Sequence, residues 1–330
     1  MKIVIGGGAG FIGAPLGRAL VAMGHKVTAA DNLSTGFRSS RDKEVELAKG
    51  DIDQPRFLAR IFDKVRPDLY VHLAGQKDVA ASWEDPATDS AKTVGSFLGA
   101  LGACRTTTVP RVLLVSTGEV LTPPEGGEEG PLDPLMPVRP LSPYGASHAL
   151  CEFYLDSFSR LLPMKTLIAR LAPVFGPGQT TVGEGGLIGL AIRQTLLKSS
   201  QNPPAIPGNG RRMRDYIFID DAVEALLHLI IKDFRNRIRM LPPDFPFNLR
   251  TIFRHRLQDK GHFFRRPHLS LPKKDRGARR EDMAAGDPVL PDEPVHKSPR
   301  PRGVRVGHDD QVDRHWMAFL KKSTVRAIPS

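Results

Sequence analysis

A glycine-rich turn near the beginning of the chain has the residue types and spacing needed to hold a diphosphate. The segment from Gly6 to Gly13 reads Gly-Gly-Gly-Ala-Gly-Phe-Ile-Gly, follows an apolar stretch and precedes a helical pattern. Glycines here let backbone N–H groups and a helix N-terminus approach phosphate oxygens without interference from a Cβ atom. The turn therefore predicts a site for the pyrophosphate of a nucleotide.

An acidic residue downstream supports the same prediction. Asp31 ends the second apolar stretch, about where a carboxylate would accept hydrogen bonds from the adenosine ribose. The same carboxylate would repel a ribose 2′-phosphate, which favours NAD over NADP. Two alternatives stay open, namely Asp31 as a simple strand cap and NADP bound through Arg38 or Arg41.

Short apolar runs alternate with amphipathic stretches over the first two thirds of the chain, which is the pattern of repeated βα units around a parallel sheet. The runs are nearly continuous in apolar residues, as in strands buried on both faces. We therefore expect an α/β fold with a doubly wound parallel sheet. The predicted strands are Lys2–Ile5, Lys26–Ala30, Leu69–Leu73, Arg111–Ser116 and Lys165–Leu171, and the predicted helices are Phe11–Met23, Pro55–Val65, Ala87–Arg105 and Pro143–Leu162.

The net charge of +11 is unevenly distributed along the chain. Residues 1–231 carry equal numbers of basic and acidic side chains, so the whole excess lies in the last third. Basic clusters there, such as Arg235–Arg239 and Lys273–Arg280, lack an apolar stripe, and residues 250–295 predict no regular structure. One interpretation is a basic arm for nucleic acid. Because aromatic residues suited to base stacking are few and acidic residues interrupt the clusters, we expect no nucleic-acid partner.

Composition argues against several other classes of protein. Only two cysteines occur, Cys104 and Cys151, which are too few for a disulfide framework or a four-cysteine zinc site, and we expect no metal. No apolar run approaches the roughly 18 to 20 residues of a membrane helix. The chain begins without a signal-peptide pattern. We therefore expect a cytoplasmic protein without a membrane partner.

Several motifs over residues 1–230 resemble those of the extended short-chain dehydrogenase/reductases, specifically the NAD-dependent epimerase/dehydratase family and its members similar to UDP-glucose 4-epimerase. The resemblance implies a Rossmann-type domain over residues 1–172 and a smaller, here divergent, C-terminal substrate-binding lobe over residues 173–330. Besides the glycine turn, the matching motifs are Asp31-Asn32-Leu33-Ser34-Thr35-Gly36, Gly50-Asp51-Ile52, His72-Leu73-Ala74-Gly75-Gln76, Ser142-Pro143-Tyr144-Gly145-Ala146-Ser147, Phe175-Gly176-Pro177-Gly178-Gln179 and Arg214-Asp215-Tyr216.

The resemblance also implies a reaction and the residues that carry it. A hydride would pass from C4 of a UDP-sugar to NAD and return to the opposite face of the sugar. Tyr144 would be the acid/base, and Thr117 or its neighbour Ser116 would bond the reacting oxygen. The residues implied to bind NAD are Gly7, Gly10, Phe11, Ile12, Gly13, Asp31, Asn32, Asp51, Ile52, Leu73, Ala74, Tyr144 and His148.

Substrate and partner assignments follow from the same resemblance. Arg214 matches an arginine that clamps the substrate diphosphate, and Arg300 resembles a second such arginine. Pro173 stands where the family has an asparagine that contacts the sugar nucleotide. A homodimer is implied, paired through the helices predicted over residues 87–105 and 143–162.

His148 is the main departure from the family pattern, because it stands four residues after Tyr144 where the family has a lysine. Residues four apart share one face of a helix. The family's lysine binds the nicotinamide ribose, and its positive charge lowers the pKa of the tyrosine. Histidine, with an ordinary pKa of about 6.5, is mostly neutral at pH 7. We therefore expect His148 to be a weaker ribose and charge partner, and catalysis to be slower.

Two alternative functions stay open. The first is a nucleotide-sugar 4,6-dehydratase, because Ser116-Thr117-Gly118-Glu119 resembles a Thr-Asp-Glu element of that group in which the aspartate has been lost. The second is a catalytically impaired relative that binds NAD without turning over a sugar nucleotide.

The segment 250–295 departs from the family abruptly. Family members continue after Phe247-Asn248-Leu249 with a Gly-Thr-Gly turn and a Thr-Ser-Val helix start, whereas this chain continues with Arg250 and Thr251–Gln258. One set of codons for Thr251–Gln258 is ACG ATA TTT CGA CAT CGG TTA CAG. Read two bases later, it encodes Asp-Ile-Ser-Thr-Ser-Val-Thr, which resembles the missing segment. Our hypothesis is that the segment is frameshifted, the alternative being a genuine basic extension.

The bases of the gene test this hypothesis directly. If the segment is frameshifted, translation of the bases beyond the codon for Arg250, in the frame that begins two bases later, yields a family-like sequence. The measurement is the nucleotide sequence itself, determined on both strands. An alternative frame interrupted by stop codons, or one without family resemblance, would show that the basic extension is genuine.

Overall fold

The computed structural model describes residues 1–34, 44–54, 56–121, 136–179, 187–196, 216–232, 234 and 237–241. Its strands alternate with helices along the chain, as the apolar runs predict. The strands are β1 (Lys2–Gly6), β2 (Lys26–Asp31), β3 (Glu46–Lys49), β4 (Leu69–His72), β5 (Arg111–Thr117), β6 (Lys165–Leu171), β7 (Val174–Phe175), β8 (Ile217–Phe218) and β9 (Arg237–Leu241). The helices are α1 (Gly13–Ala22), α2 (Phe57–Val65), α3 (Val79–Glu84), α4 (Pro86–Ser90), α5 (Ser96–Thr106), α6 (Pro143–Leu161), α7 (Leu187–Leu196) and α8 (Ile219–Ile231).

Seven of these strands form one parallel sheet in the order β3-β2-β1-β4-β5-β6-β9, and β7 pairs with β8 separately. The order reverses between β1 and β4, so the chain winds outward in both directions from the centre. In such a sheet, ligands bind outside the carboxyl ends of the strands at the point of reversal. The doubly wound α/β fold expected from the sequence is confirmed.

The sheet is buried on both faces by two separate apolar clusters. Helices α1 and α8 cover one face, where Leu16 and Leu226 are fully buried against β1 and β4. Helices α2, α5 and α6 cover the other, where Phe62, Phe97 and Leu155 are fully buried. Burial on both faces fixes the strand register, since a slip of one residue would reverse every side chain.

The longest helix, α6, begins where the sequence predicts. Ser142 caps it by accepting a 3.0 Å hydrogen bond from the backbone N–H of Gly145, and Pro143 occupies the first turn. Both residue types are favoured at these positions. The cap fixes where the next residue, Tyr144, enters the fold.

The sequence prediction lacked α3, α7, α8, β7 and β8, and it differs from the structure at three further elements. Strand β3 is absent from the prediction because its burial is only partial. The predicted helix over residues 87–105 is interrupted by a π-helical turn at Ala91–Gly95, which separates α4 from α5. The basic cluster Arg235–Arg239, for which the sequence indicated no apolar stripe, overlaps strand β9, which pairs in parallel with β6.

The sheet includes elements from beyond residue 172. Helix α8 packs against α1, and β9 forms the edge of the sheet next to β6. The proposed boundary between residues 172 and 173 stays a prediction, and segment 250–295 lies outside the described residues. The chain therefore returns to the nucleotide-binding sheet after entering the predicted second lobe.

A tyrosine in the sheet explains why the glycine turn begins with glycine. Gly6 and His72 are direct neighbours in the β1–β4 register, and Tyr70 lies two residues before His72 on the same face. A Cβ atom at Gly6 would collide with the Tyr70 hydroxyl oxygen and would approach Ile52 Cδ1 to 3.1 Å. The hydroxyl of Tyr70 therefore occupies the space that a side chain at position 6 would need.

We predict that Gly6→Ala lowers the free energy of unfolding by about 1–3 kcal/mol, the usual cost of overpacking a core. Combining it with Tyr70→Phe removes the colliding oxygen. The double variant should therefore lose less free energy of unfolding than the two single variants lose in total. Urea unfolding of all four proteins measures this coupling. Strict additivity would contradict the steric pairing of positions 6 and 70.

Candidate functional site

The glycine turn lies between β1 and α1 at the point of reversal of the sheet. Gly7 has φ +75°, and a Cβ atom there would lie 2.9 Å from the backbone nitrogen of Ala74. Gly10 donates a 3.1 Å hydrogen bond to the carbonyl of Gly7, and Leu73 donates a 2.9 Å hydrogen bond to that of Gly6. The structure therefore brings together the turn and the Leu73–Ala74 segment, as the sequence predicts, while Phe11, Ile12 and Gly13 lead into α1.

The Asp31 carboxylate lies at the carboxyl end of β2 and is oriented by the backbone. Its Oδ2 accepts a 3.0 Å hydrogen bond from the Ala9 N–H, and its Oδ1 accepts one of 2.8 Å from Leu33. Each carboxylate oxygen keeps further acceptor capacity for ribose hydroxyls. Asn32 follows, with its side-chain oxygen accepting from Ser34. Arg38 and Arg41, the residues that would favour NADP, lie outside the described residues.

The residues expected to contact adenine lie beside Asp31. Gly50, just after β3, donates a 3.0 Å hydrogen bond to the carbonyl of Asp31. Asp51 accepts from the N–H of Asp53, and Ile52 is buried. Strand β3, which the sequence prediction missed, is therefore the element that carries Asp51 and Ile52 to this position.

Lys77 is a candidate that sequence reasoning missed. Burial lowers the pKa of Lys77, and the Asp31 carboxylate partly opposes this shift. A cation within electrostatic range of Asp31 is suited to a phosphate group. The available signal was its position, directly after the His72-Leu73-Ala74-Gly75-Gln76 motif at the carboxyl end of β4.

Tyr144 is held at the start of α6 from two sides. Its backbone N–H donates a 3.1 Å hydrogen bond to Ser82 Oγ, and its hydroxyl is hydrogen-bonded to Thr117 at the end of β5. Burial raises the pKa of Tyr144 to about 12, the Thr117 hydrogen bond lowers it, and the charges of Glu119 and Asp89 raise it further. The structure thus joins Tyr144 to Thr117 but leaves the phenol strongly protonated at neutral pH.

His148 lies against Tyr144, as its position four residues later predicts. The two rings meet edge-on with centroids 4.6 Å apart. Both ring nitrogens of His148 are buried and have no hydrogen-bond partner among the described residues. Burial lowers the pKa of His148 to about 4, so the imidazole is neutral at pH 7. A buried donor and acceptor left unpaired in this way are costly, which points to a polar ligand at this position.

A second imidazole, His72, faces the same region and was not singled out from the sequence. Its Nδ1 lies 2.8 Å from the Tyr70 hydroxyl oxygen, while its Nε2 is buried without a partner in the described part of the chain. Burial and, secondarily, His148 lower the pKa of His72 to about 3. Both of these imidazoles are therefore neutral at pH 7.

Ser116 does not share the environment of Thr117. Its hydroxyl donates a 2.6 Å hydrogen bond to Oε1 of Glu152, which is buried and paired with Arg170. Thr117, the last residue of β5, bonds instead to Tyr144 at the start of α6, so the two neighbours have different partners. The expectation that Ser116 serves as an alternative to Thr117 beside the reacting oxygen is not supported by this arrangement.

The predicted substrate contacts are only partly described. Pro173 lies between β6 and β7, and its carbonyl accepts a 3.0 Å hydrogen bond from Ile217. Its side chain has no polar group with which to replace the family asparagine. Arg214 and Arg300 lie outside the described residues. Within those residues, no three His, Cys, Asp or Glu side chains are grouped to hold a metal ion, and no helix has the length and apolarity to cross a membrane.

These features fit a dinucleotide. The turn crowds out side chains where phosphates would approach, Asp31 offers carboxylate oxygens to a ribose, and His148 presents unpaired nitrogens near Tyr144. The chain belongs to the NAD dependent epimerase/dehydratase family, whose model matches residues 3–238. Its cofactor is NAD. Residues 239–330 lie outside the family match.

Individual relatives agree with this assignment. The chain is 32% identical to a UDP-glucose 4-epimerase of Mycolicibacterium smegmatis over 234 residues, which are 69% of this chain and 72% of the relative. It is similar to the Thermotoga maritima UDP-glucose 4-epimerase with UDP-glucose, with TM-score 0.66, 31% identity and coverage of 73% and 77% of the two chains. The Thermus thermophilus UDP-glucose 4-epimerase complex with NAD gives TM-score 0.66 and 31% identity, covering 73% and 78%.

Proposed function

We propose that this chain interconverts UDP-glucose and UDP-galactose by reversible hydride transfer at sugar C4. The observation that carries the proposal is the hydrogen bond between Tyr144 and Thr117 at the carboxyl end of β5, on the side of the sheet where the glycine turn lies. Relatives that are named for this activity support it. NAD supplies the hydride acceptor and donor when bound.

The protein's own residues handle the proton. Tyr144 Oη takes the proton of the C4 hydroxyl as the hydride leaves, and returns it when the hydride is delivered to the other face. Thr117 fixes the Tyr144 hydroxyl by its hydrogen bond and stabilises the phenolate form. The Thr117 hydrogen bond and the partial burial of both residues favour direct transfer of the proton between Tyr144 and the substrate.

The neutrality of the residue at position 148 limits the rate. A base works best when its pKa lies near the working pH, whereas burial holds the pKa of Tyr144 at about 12. His148 is neutral and offsets none of this shift. It would instead satisfy its unpaired nitrogens with the hydroxyls of the nicotinamide ribose.

We expect His148→Lys to increase kcat at neutral pH, by about tenfold for each unit by which the Tyr144 pKa falls. The phenolate is the active base, so the pH–rate profile of the wild type rises toward high pH and that of the lysine variant rises at lower pH. Interconversion of UDP-galactose and UDP-glucose with added NAD, followed from pH 6 to 9, measures both effects.

His148→Met is the matched control, because methionine resembles lysine in shape without its charge. Its profile should keep the wild-type pH dependence, and Tyr144→Phe should abolish turnover. Equal rates for the lysine and methionine variants would contradict the charge argument. Absence of turnover in every protein, with NAD binding retained, would favour the catalytically impaired relative.

The dehydratase alternative is less well supported. Elimination of water needs an acid, and Gly118 stands where the dehydratase element has its aspartate. Glu119 is present, but it follows Thr117 by two residues and its backbone N–H bonds back to the Thr117 hydroxyl. Formation of a 4-keto-6-deoxy product in the same assay would identify that activity.

We also propose that the chain forms a homodimer through an apolar stripe on α6. The stripe consists of Leu150, Phe153, Tyr154 and Leu161, which are 40–80% exposed although their spacing places them on one helix face. Gly95 and Gly102, at and after the start of the neighbouring α5, have open space around their Cβ positions. A partner helix could therefore approach closely.

Phe153→Asp should convert the dimer to a monomer, because it places a charge in the centre of the stripe that the dimer would bury. The molar mass from light scattering during gel filtration measures the change. Leu141→Asp is the control, since Leu141 is also an exposed apolar residue but lies outside the stripe. A wild-type protein that is monomeric at micromolar concentration would refute the dimer.

A further inference from the structure

Glu152, Arg170 and Ser116 form a buried polar network directly beneath the proposed catalytic pair. Arg170 donates to both Glu152 oxygens, from Nη2 to Oε2 at 2.6 Å and from Nε to Oε1 at 3.0 Å. Ser116 Oγ donates to the same Oε1 at 2.6 Å. Arg170 is 1% exposed, and Glu152 and Ser116 are each 4% exposed. The network is thus buried, and its ion pair consists of two short hydrogen bonds.

The three residues come from three elements, one of which, α6, also carries Tyr144. Ser116 is on β5, Arg170 is its direct partner in the β5–β6 register, and Glu152 is on α6. Tyr144 and Glu152 are eight residues apart on α6, which is about two helical turns. Adjacent residues of β5, Ser116 and Thr117, therefore bond to two separate points along one helix.

Two separated attachments restrain a helix more fully than one. Helix α6 is also held by its apolar packing on the sheet and by the 2.6 Å hydrogen bond from Ser147 Oγ to Asp89, and the bond from Ser116 to Glu152 adds a second polar attachment to β5, two turns from Tyr144. A buried ion pair adds little net stability compared with apolar residues of similar size, so a contribution to orientation is a reasonable role for this one.

We propose that Glu152 is a positioning residue, which with Arg170 and Ser116 holds α6 so that the Tyr144 hydroxyl stays aligned with Thr117. This inference extends the proposed epimerase function, since it concerns the group that would move the proton. It assigns Ser116, expected from the sequence to assist catalysis directly, an indirect part through Glu152. None of the three side chains needs to touch the substrate.

The decisive variant is Glu152→Met/Arg170→Met, which removes both charges together and leaves no unpaired ion in the core. The chain should fold and bind NAD, whereas kcat should fall by about ten- to a hundredfold with KM within twofold, as for a misplaced catalytic group. Ser116→Ala keeps the ion pair and removes one bond, so its loss of kcat should be smaller. Both are measured with UDP-galactose and NAD.

A second readout needs no substrate. The chain has only four tyrosines, so ¹⁹F NMR of protein labelled with 3-fluorotyrosine gives few signals, and Tyr144→Phe identifies the one from Tyr144. In the double variant this signal should shift and its titration should move to higher pH, because the Thr117 hydrogen bond is lost for part of the time. Arg170→Lys, which keeps the charge but not the two-pronged geometry, should give an intermediate shift.

A matched control lies on the same helix. Arg160 and Asp156 also form a 2.6 Å ion pair, but their side chains are 75% and 53% exposed. Asp156→Met/Arg160→Met should leave both kcat and the Tyr144 signal unchanged. An unaltered Tyr144 signal in Glu152→Met/Arg170→Met would overturn the positioning role even if the wild type proves inactive toward UDP-sugars, which would separately overturn the proposed function.

Discussion

Removal of the Tyr144 hydroxyl from water is the constraint on which the rest of the site depends. Burial makes the phenol a poor base, because the charged form loses its hydration, and the protein compensates with one hydrogen bond from Thr117. The neighbouring His148 is desolvated as well and is neutral for the same reason. The pair therefore shares one low-dielectric environment in which neither partner carries the charge that would help the other. The glycine turn, the strand ends and α6 all serve to place a cofactor and a substrate against this uncharged pair.

Much of the fold was predictable because the parallel sheet leaves a strong trace in the sequence. Strands buried on both faces, such as β5 and β6, give continuous apolar runs, and the glycine turn marks the first crossover. Strand β3 is short and only half-buried, so its sequence lacks that run. Strand β9 contains two arginines and resembles the basic tail that follows it; only its pairing with β6 distinguishes it.

The site was predictable to the extent that its residues sit in local motifs. The position of Asp31 follows from its spacing after the glycine turn, whereas Tyr144, Thr117 and His148 were identified through the family resemblance. The roles of Ser116 and His72 follow from neither, because each depends on a partner distant in sequence: Ser116 bonds to Glu152, 36 residues away, and His72 shares its surroundings with His148. A motif shows which residues are adjacent along one strand or helix. It does not show which residues of other elements they contact, and those contacts determine their hydrogen bonds and their charge.

The contact between Gly6 and Tyr70 bears on how this sequence could have arisen. A Cβ atom at position 6 would collide with Tyr70 Oη, so a tyrosine at position 70 is accommodated best by glycine at position 6. A mutational route from an ancestor with a side chain at position 6 costs least stability if that side chain is lost before the tyrosine hydroxyl enters. Once His72 has come to rely on the Tyr70 hydroxyl, the reverse route requires both positions to change again. Substitutions at these two positions, 64 residues apart, are therefore coupled. The steric demand of one oxygen atom favours one order in which they can occur.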